Sequence, residues 1–131
     1  MDAMRMMQEN DSTTMSAMAE IDQDLLQACL DACAACEQAC TVCSTMEMSC
    51  APTCMNCADM CHTMMRSLLR MQGMTPTTVM AMLDACIAMC RSCMDECAAH
   101  ADHSAVCAMC AESCRACMDA CMALRESMQT A

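Results

Sequence analysis

Cysteine is the residue type with the most chemistry to offer in this chain, with 18 copies among 131 residues. The cysteines fall into four clusters, and within each cluster the spacing alternates between four and three residues. They are Cys29, Cys33, Cys36, Cys40 and Cys43; Cys50, Cys54, Cys57 and Cys61; Cys86, Cys90, Cys93 and Cys97; and Cys107, Cys110, Cys114, Cys117 and Cys121. This spacing is typical of one face of an α-helix, the face that helical bundles usually give to leucine and isoleucine. A disulfide scaffold has no reason to keep it through four clusters, so the pattern predicts four helices that turn their thiols toward a shared core.

The composition supports a helical bundle. The chain has no aromatic residue, one glycine and two prolines, while 22 methionines and 18 cysteines must fill much of the core. Few glycines and prolines, together with abundant Ala, Met, Leu, Glu and Gln, favour helix over strand. A chain of this length is sufficient for one domain with a continuous core.

The predicted helices span residues 16–45, 51–72, 76–100 and 103–127. Short connections make neighbouring helices antiparallel, so the expected fold is all-α, an antiparallel up-down-up-down four-helix bundle with a cysteine-lined core. Residues 16–131 form this metal-binding domain in our interpretation. Residues 1–15 are an N-terminal extension, either flexible or a short helix.

Turn and cap signals agree with these boundaries. Thr75 followed by Pro76 is typical of a helix start, and Gly73 suits the end of the preceding helix. Ser49 is a candidate cap for the second helix. Asp102 and Ser104 are both candidates for the cap of the fourth helix.

The cysteine face continues differently at its two ends. At one end it meets only apolar residues: Leu25, Met64, Leu68, Met71, Val79, Met82, Leu124 and Met128. At the other end the connecting loops carry Met46, Met48, His100 and His103. His100 lies three residues after Cys97 and His103 four residues before Cys107, so both continue the cysteine face. The sequence predicts a tube that is sealed by apolar packing at one end and carries soft ligands at an open end, the mouth.

The number of thiols discriminates between metals. Thiolate and thioether ligands select copper(I), zinc or iron–sulfur clusters over hard cations. A zinc ion held by four thiolates carries a net charge of −2, and several such sites in a dry core would be costly. Copper(I) bound at about one ion per thiolate replaces one proton by one cation and keeps the core neutral. We therefore expect a copper(I) store that uses all 18 cysteines, with the histidines and methionines of the mouth as further ligands. A zinc or general soft-metal buffer and a thiol redox protein are the alternatives.

Charge excludes other functions. The formal net charge is −11, with six arginines and no lysine, which argues against binding to nucleic acid or to anionic membranes. The N-terminal residues have no signal-peptide pattern, and no run of 18 apolar residues occurs, so we expect a cytoplasmic protein with reduced thiols. No carboxylate pair or His–Cys constellation indicates an enzyme.

Three stretches, CLDACAACEQACTVC, CAPTCMNCADMC and CIAMCRSCMDECAAHADHSAVCAMCAESCRACMDAC, closely resemble the bacterial four-helix-bundle copper storage proteins, in particular their cytosolic branch. The resemblance covers roughly residues 20–125. It implies a homotetramer of bundles, each of which binds many copper(I) ions on its 18 cysteines, with His100 and His103 at the mouth. A copper donor or acceptor partner would fit such a role.

Overall fold

The computed structural model describes residues 3–9, 21–46 and 48–130, and within these ranges every regular element is helical. The elements are α1 (Ala3–Glu9), α2 (Gln23–Ser44), α3 (Ala51–Leu69), a 3-10 turn (Met71–Gly73), α4 (Pro76–Ala98) and α5 (Ala105–Thr130). Helices α2 to α5 each pack on the next, and α5 closes back on α2. The predicted all-α four-helix bundle is confirmed.

Helix α2 begins later than the sequence predicted. Asp22 lies outside α2 in an extended conformation, and its Oδ1 accepts hydrogen bonds from the backbone N–H of Asp24 at 2.9 Å and of Leu25 at 3.1 Å. This side chain satisfies two of the free amides at the helix start, and the helix therefore begins at Gln23. The predicted start at residue 16 was wrong. The proposed domain boundary between residues 15 and 16 lies outside the described residues.

The other helix ends follow the sequence signals in part. Thr75 caps α4 through a 3.1 Å bond from the backbone N–H of Thr78, and Ser104 accepts the backbone N–H of Cys107 at 3.1 Å. Of the two candidates before α5, Ser104 is thus the capping side chain. The cap position of α3 is Cys50, which makes no side-chain capping bond, so the prediction for Ser49 was wrong. Gly73 ends the 3-10 turn that follows α3.

Apolar side chains seal one end of the bundle, as the sequence predicted. The fully or almost fully buried residues there are Leu26, Met64, Leu68, Met71, Val79, Leu83 and Leu124. Leu25, Met82 and Met128 are only partly buried against the core. Leu26 and Leu83 take the core positions predicted for Leu25 and Met82, because each lies three residues before the first cysteine of its helix and continues the alternation of three and four. We call the buried group the sealed end.

Helix α1 packs beside the sealed end. Met4 is buried, and Ala3 borders a cavity of about 560 Å³ together with Leu30 of α2 and Leu69 of α3. Helix α4 is the one helix in the described ranges whose length and composition would also allow a membrane crossing. Its cysteine and leucine face lies inside the bundle, as expected for a core helix.

Candidate metal centre

All 18 cysteines lie in the bundle core as free thiols, and none is more than 1% exposed. The alternation of three and four residues keeps each cluster on one helical face, and the packing of four helices brings the four faces together. The predicted convergence of the thiols is confirmed. We call the 18 cysteines the thiol column.

Neighbouring sulfurs in the column are separated by distances that suit a shared metal ion. Near the middle, the Sγ of Cys40 lies 3.8 Å from that of Cys93, 3.6 Å from Cys110 and 3.7 Å from Cys114. At the deepest level, Cys29 and Cys121 are 3.6 Å apart. With metal–sulfur bonds of about 2.3 Å, one ion can bind two or three sulfurs at such separations.

The column contains overlapping groups of four sulfurs that lie within 4.8 Å of one another. One group consists of Cys36, Cys40, Cys57 and Cys114, and a second consists of Cys40, Cys93, Cys110 and Cys114. Cys40 and Cys114 belong to both. Further groups are Cys33, Cys86, Cys117 and Cys121; Cys36, Cys61, Cys90 and Cys117; and Cys43, Cys54, Cys97 and Cys110. Because the groups share members, ions in adjacent groups must be bridged by common thiolates.

The sulfur contacts form a continuous path along the column. Cys50, next to the connecting loop, lies 4.0 Å from Cys107, which lies 3.9 Å from Cys43. Further steps of at most 4.0 Å lead through Cys97, Cys54, Cys93, Cys40, Cys36, Cys57, Cys90, Cys61 and Cys117 to Cys33. An ion can therefore move from sulfur to sulfur by ligand exchange without leaving the column.

Burial and thiol–thiol hydrogen bonds control the protons of the column. Burial raises the pKa of Cys43 from the ordinary 9.0 to about 12, and it also raises the pKa of Cys54 and Cys97. A hydrogen bond from Cys121 lowers the pKa of Cys117 to about 7, and the same bond raises the pKa of Cys121. After one thiol of the Cys117–Cys121 pair has lost its proton, the other thiol therefore stays protonated. A cation that binds here must displace the remaining protons.

The mouth lies at the opposite end of the bundle from the sealed end. It consists of the two connecting loops, residues 45, 46 and 48–50 and residues 99–104. His100 is half-buried, and its Nε2 lies 2.9 Å from Oγ of Ser49. Met48 is partly buried against the core, whereas Met46 and His103 are exposed. The structure therefore brings His100 and Met48 to the edge of the column and places His103 and Met46 on the outer side of the same loops. Their roles as ligands stay predictions.

His62 follows Cys61 in the sequence but lies away from the column. Its Nδ1 is 2.8 Å from Oε1 of Glu37, so the pair joins α3 to α2 on the bundle surface. Ser49 is the residue at the mouth that sequence reasoning misassigned. It was a candidate helix cap, and the contact with His100, 51 residues away, carries no sequence signal.

A four-helix bundle with a continuous core of free thiols defines a class: proteins that bind many soft metal ions inside a helical scaffold. The sequence profile of the copper storage protein family matches residues 15–126. The chain therefore belongs to the copper storage protein family.

Solved structures agree with this assignment. The copper storage protein Ccsp from Streptomyces lividans, loaded with 10 copper equivalents, matches with a TM-score of 0.86 and 30% identity over 96% of this chain and 99% of that chain. A structure described as copper loading to a cytosolic copper storage protein from the same organism, with five coppers, matches with a TM-score of 0.75 and 36% identity, over 79% of this chain and 93% of that one. No curated protein matches the chain.

Proposed function

We propose that this protein stores copper(I) on the thiol column, with a capacity near one ion for each of its 18 cysteines. The observation that carries the proposal is the sharing of sulfurs between adjacent four-thiol groups. An isolated tetrahedral zinc site needs four ligands that no other ion shares, whereas a chain of bridged copper(I) ions uses shared thiolates. The structures of the Streptomyces lividans relative with five and ten coppers support the same interpretation.

Charge balance favours copper(I) over zinc. None of the 18 thiols is more than 1% exposed, so a net charge in the column would have little solvation by water. Each copper(I) ion displaces about one proton and leaves the core neutral, whereas a zinc ion on four thiolates leaves two negative charges. A long column can therefore be filled by copper(I) without accumulating buried charge.

We propose that copper(I) enters at the mouth. His100, His103, Met46 and Met48 are soft or intermediate ligands on the two loops. His100 and Met48 lie at the edge of the column, and His103 and Met46 lie on the outer side of the same loops. At the sealed end the side chains of Leu68, Leu83 and Leu124 are completely buried, and this close packing blocks the other end of the column. Entry at the mouth followed by transfer along the sulfur path would fill the column from one direction.

Location, assembly and reaction type are part of the same proposal. The described cytosolic location of a relative supports a cytoplasmic store with reduced thiols, loaded and emptied by copper donor and acceptor partners.

The resemblance to the family supports a homotetramer. Apolar side chains on the α2–α5 face, with Val42 56% and Met109 69% exposed beside a groove of about 430 Å³, offer a surface for self-association. Storage rather than catalysis accounts for a column that is closed to larger substrates.

The test is an anaerobic titration of the fully reduced protein with copper(I) and, separately, with zinc, against chelators of known affinity. We expect tight saturation near one copper(I) per cysteine. Tight saturation at four or five zinc ions with weak copper(I) binding would contradict the proposal and favour the zinc buffer. Rapid oxidation of the thiols with turnover of a disulfide substrate would favour the redox protein.

A further inference from the structure

A side-chain hydrogen bond joins the two loops of the mouth. Oγ of Ser49, in the loop between α2 and α3, lies 2.9 Å from Nε2 of His100, in the loop between α4 and α5. Among the described residues of these two loops, no other side-chain hydrogen bond crosses from one loop to the other. The bond therefore determines how the His100 ring is held relative to the opposite loop.

The local sequence explains why the hydroxyl of Ser49 is free for this contact. Cys50 occupies the cap position of α3, and Pro52 stands in the first turn, where it removes one of the amides that a capping side chain would satisfy. Ser49 lies one residue outside this turn. Its hydroxyl is thus available to His100 instead of to the helix.

The position of His100 gives the contact a consequence for metal binding. The backbone N–H of His100 donates to the carbonyl of Cys97 at 3.0 Å, so the ring follows directly after the last thiol of α4. Cys97 in turn lies 3.5 Å from Cys54 and 4.0 Å from Cys43. The turn that carries His100 therefore follows directly after a residue whose thiol is part of the sulfur path.

A neutral imidazole has one N–H and one lone pair, so a hydrogen bond at one nitrogen decides what the other can do. Histidines that bind metals usually donate the N–H of the second ring nitrogen to a nearby acceptor, which fixes tautomer and orientation. We propose that Ser49 is a positioning residue: its hydroxyl accepts the Nε2–H of His100 and leaves the Nδ1 lone pair to receive copper(I). The inference rests on the proposed copper storage function and assigns the ligand atom at its entrance.

The tautomer is tested first, in the apo protein and without copper. Long-range ¹H–¹⁵N correlation spectra of ¹⁵N-labelled reduced protein at about pH 8.5, above the ordinary range of histidine titration, distinguish a protonated Nε2 from a protonated Nδ1. We expect the proton on Nε2 of His100 in the wild type and a mixture of tautomers in Ser49→Ala. A wild-type ring protonated at Nδ1 would overturn the proposal, because Ser49 would then be the donor.

The uptake rate is tested second, by stopped-flow transfer of copper(I) from a weak chelator under anaerobic conditions. We expect Ser49→Ala to slow the first phase by about tenfold, in line with the loss of other second-sphere partners of metal ligands. Ser49→Thr, which keeps the hydroxyl, should restore the rate. Ser44→Ala is the matched control, since the Ser44 hydroxyl donates to the carbonyl of Thr41 within α2.

The double variant separates positioning from a general loosening of the loop. In His100→Ala the hydroxyl of Ser49 has no ring to hold, so adding Ser49→Ala should slow uptake no further. An unchanged first phase in Ser49→Ala, or additive slowing in the double variant, would overturn the proposal. All these variants leave the 18 thiols untouched, so the final copper capacity should fall by at most the ion held at His100. Failure of the wild type to saturate with copper(I) would instead contradict the storage function itself.

Discussion

The sealed end and the mouth of this bundle are made from opposite kinds of residue. At the sealed end, large side chains such as Leu68, Leu83 and Leu124 are completely buried. At the mouth, short loops carry exposed His103 and Met46, and the hydrogen bond between Ser49 and His100 joins the loops. Buried apolar area stabilises a fold, whereas exposed loops open at low free-energy cost. The comparison indicates that the sealed end supplies stability, and it supports our proposal that copper(I) enters at the mouth.

The thiol column between the two ends contributes less to stability than an ordinary core of the same length. A cysteine buries less apolar area than the leucine that a bundle would normally place at such a position, and it makes fewer contacts. Before metal binds, the sealed end must therefore compensate for a weak middle. After metal binds, metal–sulfur bonds link the helices to one another. The sealed end and the mouth should then differ less in local stability.

Metal loading should have the largest effect on this comparison. Each copper(I) site that is held at about 100 times its dissociation constant adds up to about 2.7 kcal/mol to the free energy of unfolding, less the affinity of the unfolded thiols. Because the column offers many sites, we expect the loaded protein to resist denaturant concentrations that fully unfold the apo protein. Circular dichroism in guanidinium under anaerobic conditions measures both states. Equal unfolding midpoints would show that copper(I) does not bridge the helices.

Truncation at the sealed end should have the next largest effect. Leu68→Ala should lower the free energy of unfolding of the apo protein by about 2–5 kcal/mol, because it opens a cavity in a completely buried site. Leu69→Ala is the matched control: Leu69 is 36% exposed, and its truncation should cost clearly less. Copper(I) capacity should be the same in both variants. A lower capacity in a folded Leu68→Ala protein would contradict the separation of stability from binding.

Alkaline pH should change the free energy of unfolding of the apo protein less than Leu68→Ala does. The change should depend on the thiols of the column near the mouth. Burial raises the pKa of Cys43 from 9.0 to about 12, so the folded state favours its protonated form. The stabilising contribution is complete below pH 9 and is lost as the pH rises through 12. Urea unfolding of the reduced apo protein between pH 8 and pH 11 should show this fall.

Two comparisons identify the source of that alkaline fall. In Cys43→Ser the side chain no longer ionises in this range, so the fall should be smaller. In the copper-loaded protein the thiols have already lost their protons, so the fall should be absent. An identical pH dependence in the apo protein, in Cys43→Ser and in the loaded protein would exclude Cys43 as the cause.

The sequence predicted the column better than its ends, for a physical reason. Helical phase is a local property, so the spacing of Cys29, Cys33 and Cys36 was enough to place all three on one buried face. Strict continuation of the alternation, three residues back from the first cysteine of each helix, leads to Leu26 and Leu83. A step of four residues back leads to Leu25 and Met82 instead, and these were the wrong core residues. The contact between Ser49 and His100 depends on how two loops meet in space, and no local pattern encodes it.

The smallest change in stability, but a clear change in rate, is expected from the histidines of the mouth. The double variant His100→Ala with His103→Ala should slow the first phase of copper(I) uptake and leave most of the capacity intact, because the 18 thiols of the column are untouched. Half-buried His100 should account for more of the slowing than exposed His103, which the two single variants measure.

His62→Ala is the control, since His62 pairs with Glu37 on the bundle surface, and its uptake rate should equal that of the wild type. If capacity collapses in the double variant while the protein stays folded, the mouth is part of the store rather than its entrance. Equal rates in the wild type and in all four variants would instead place the entrance elsewhere on the bundle.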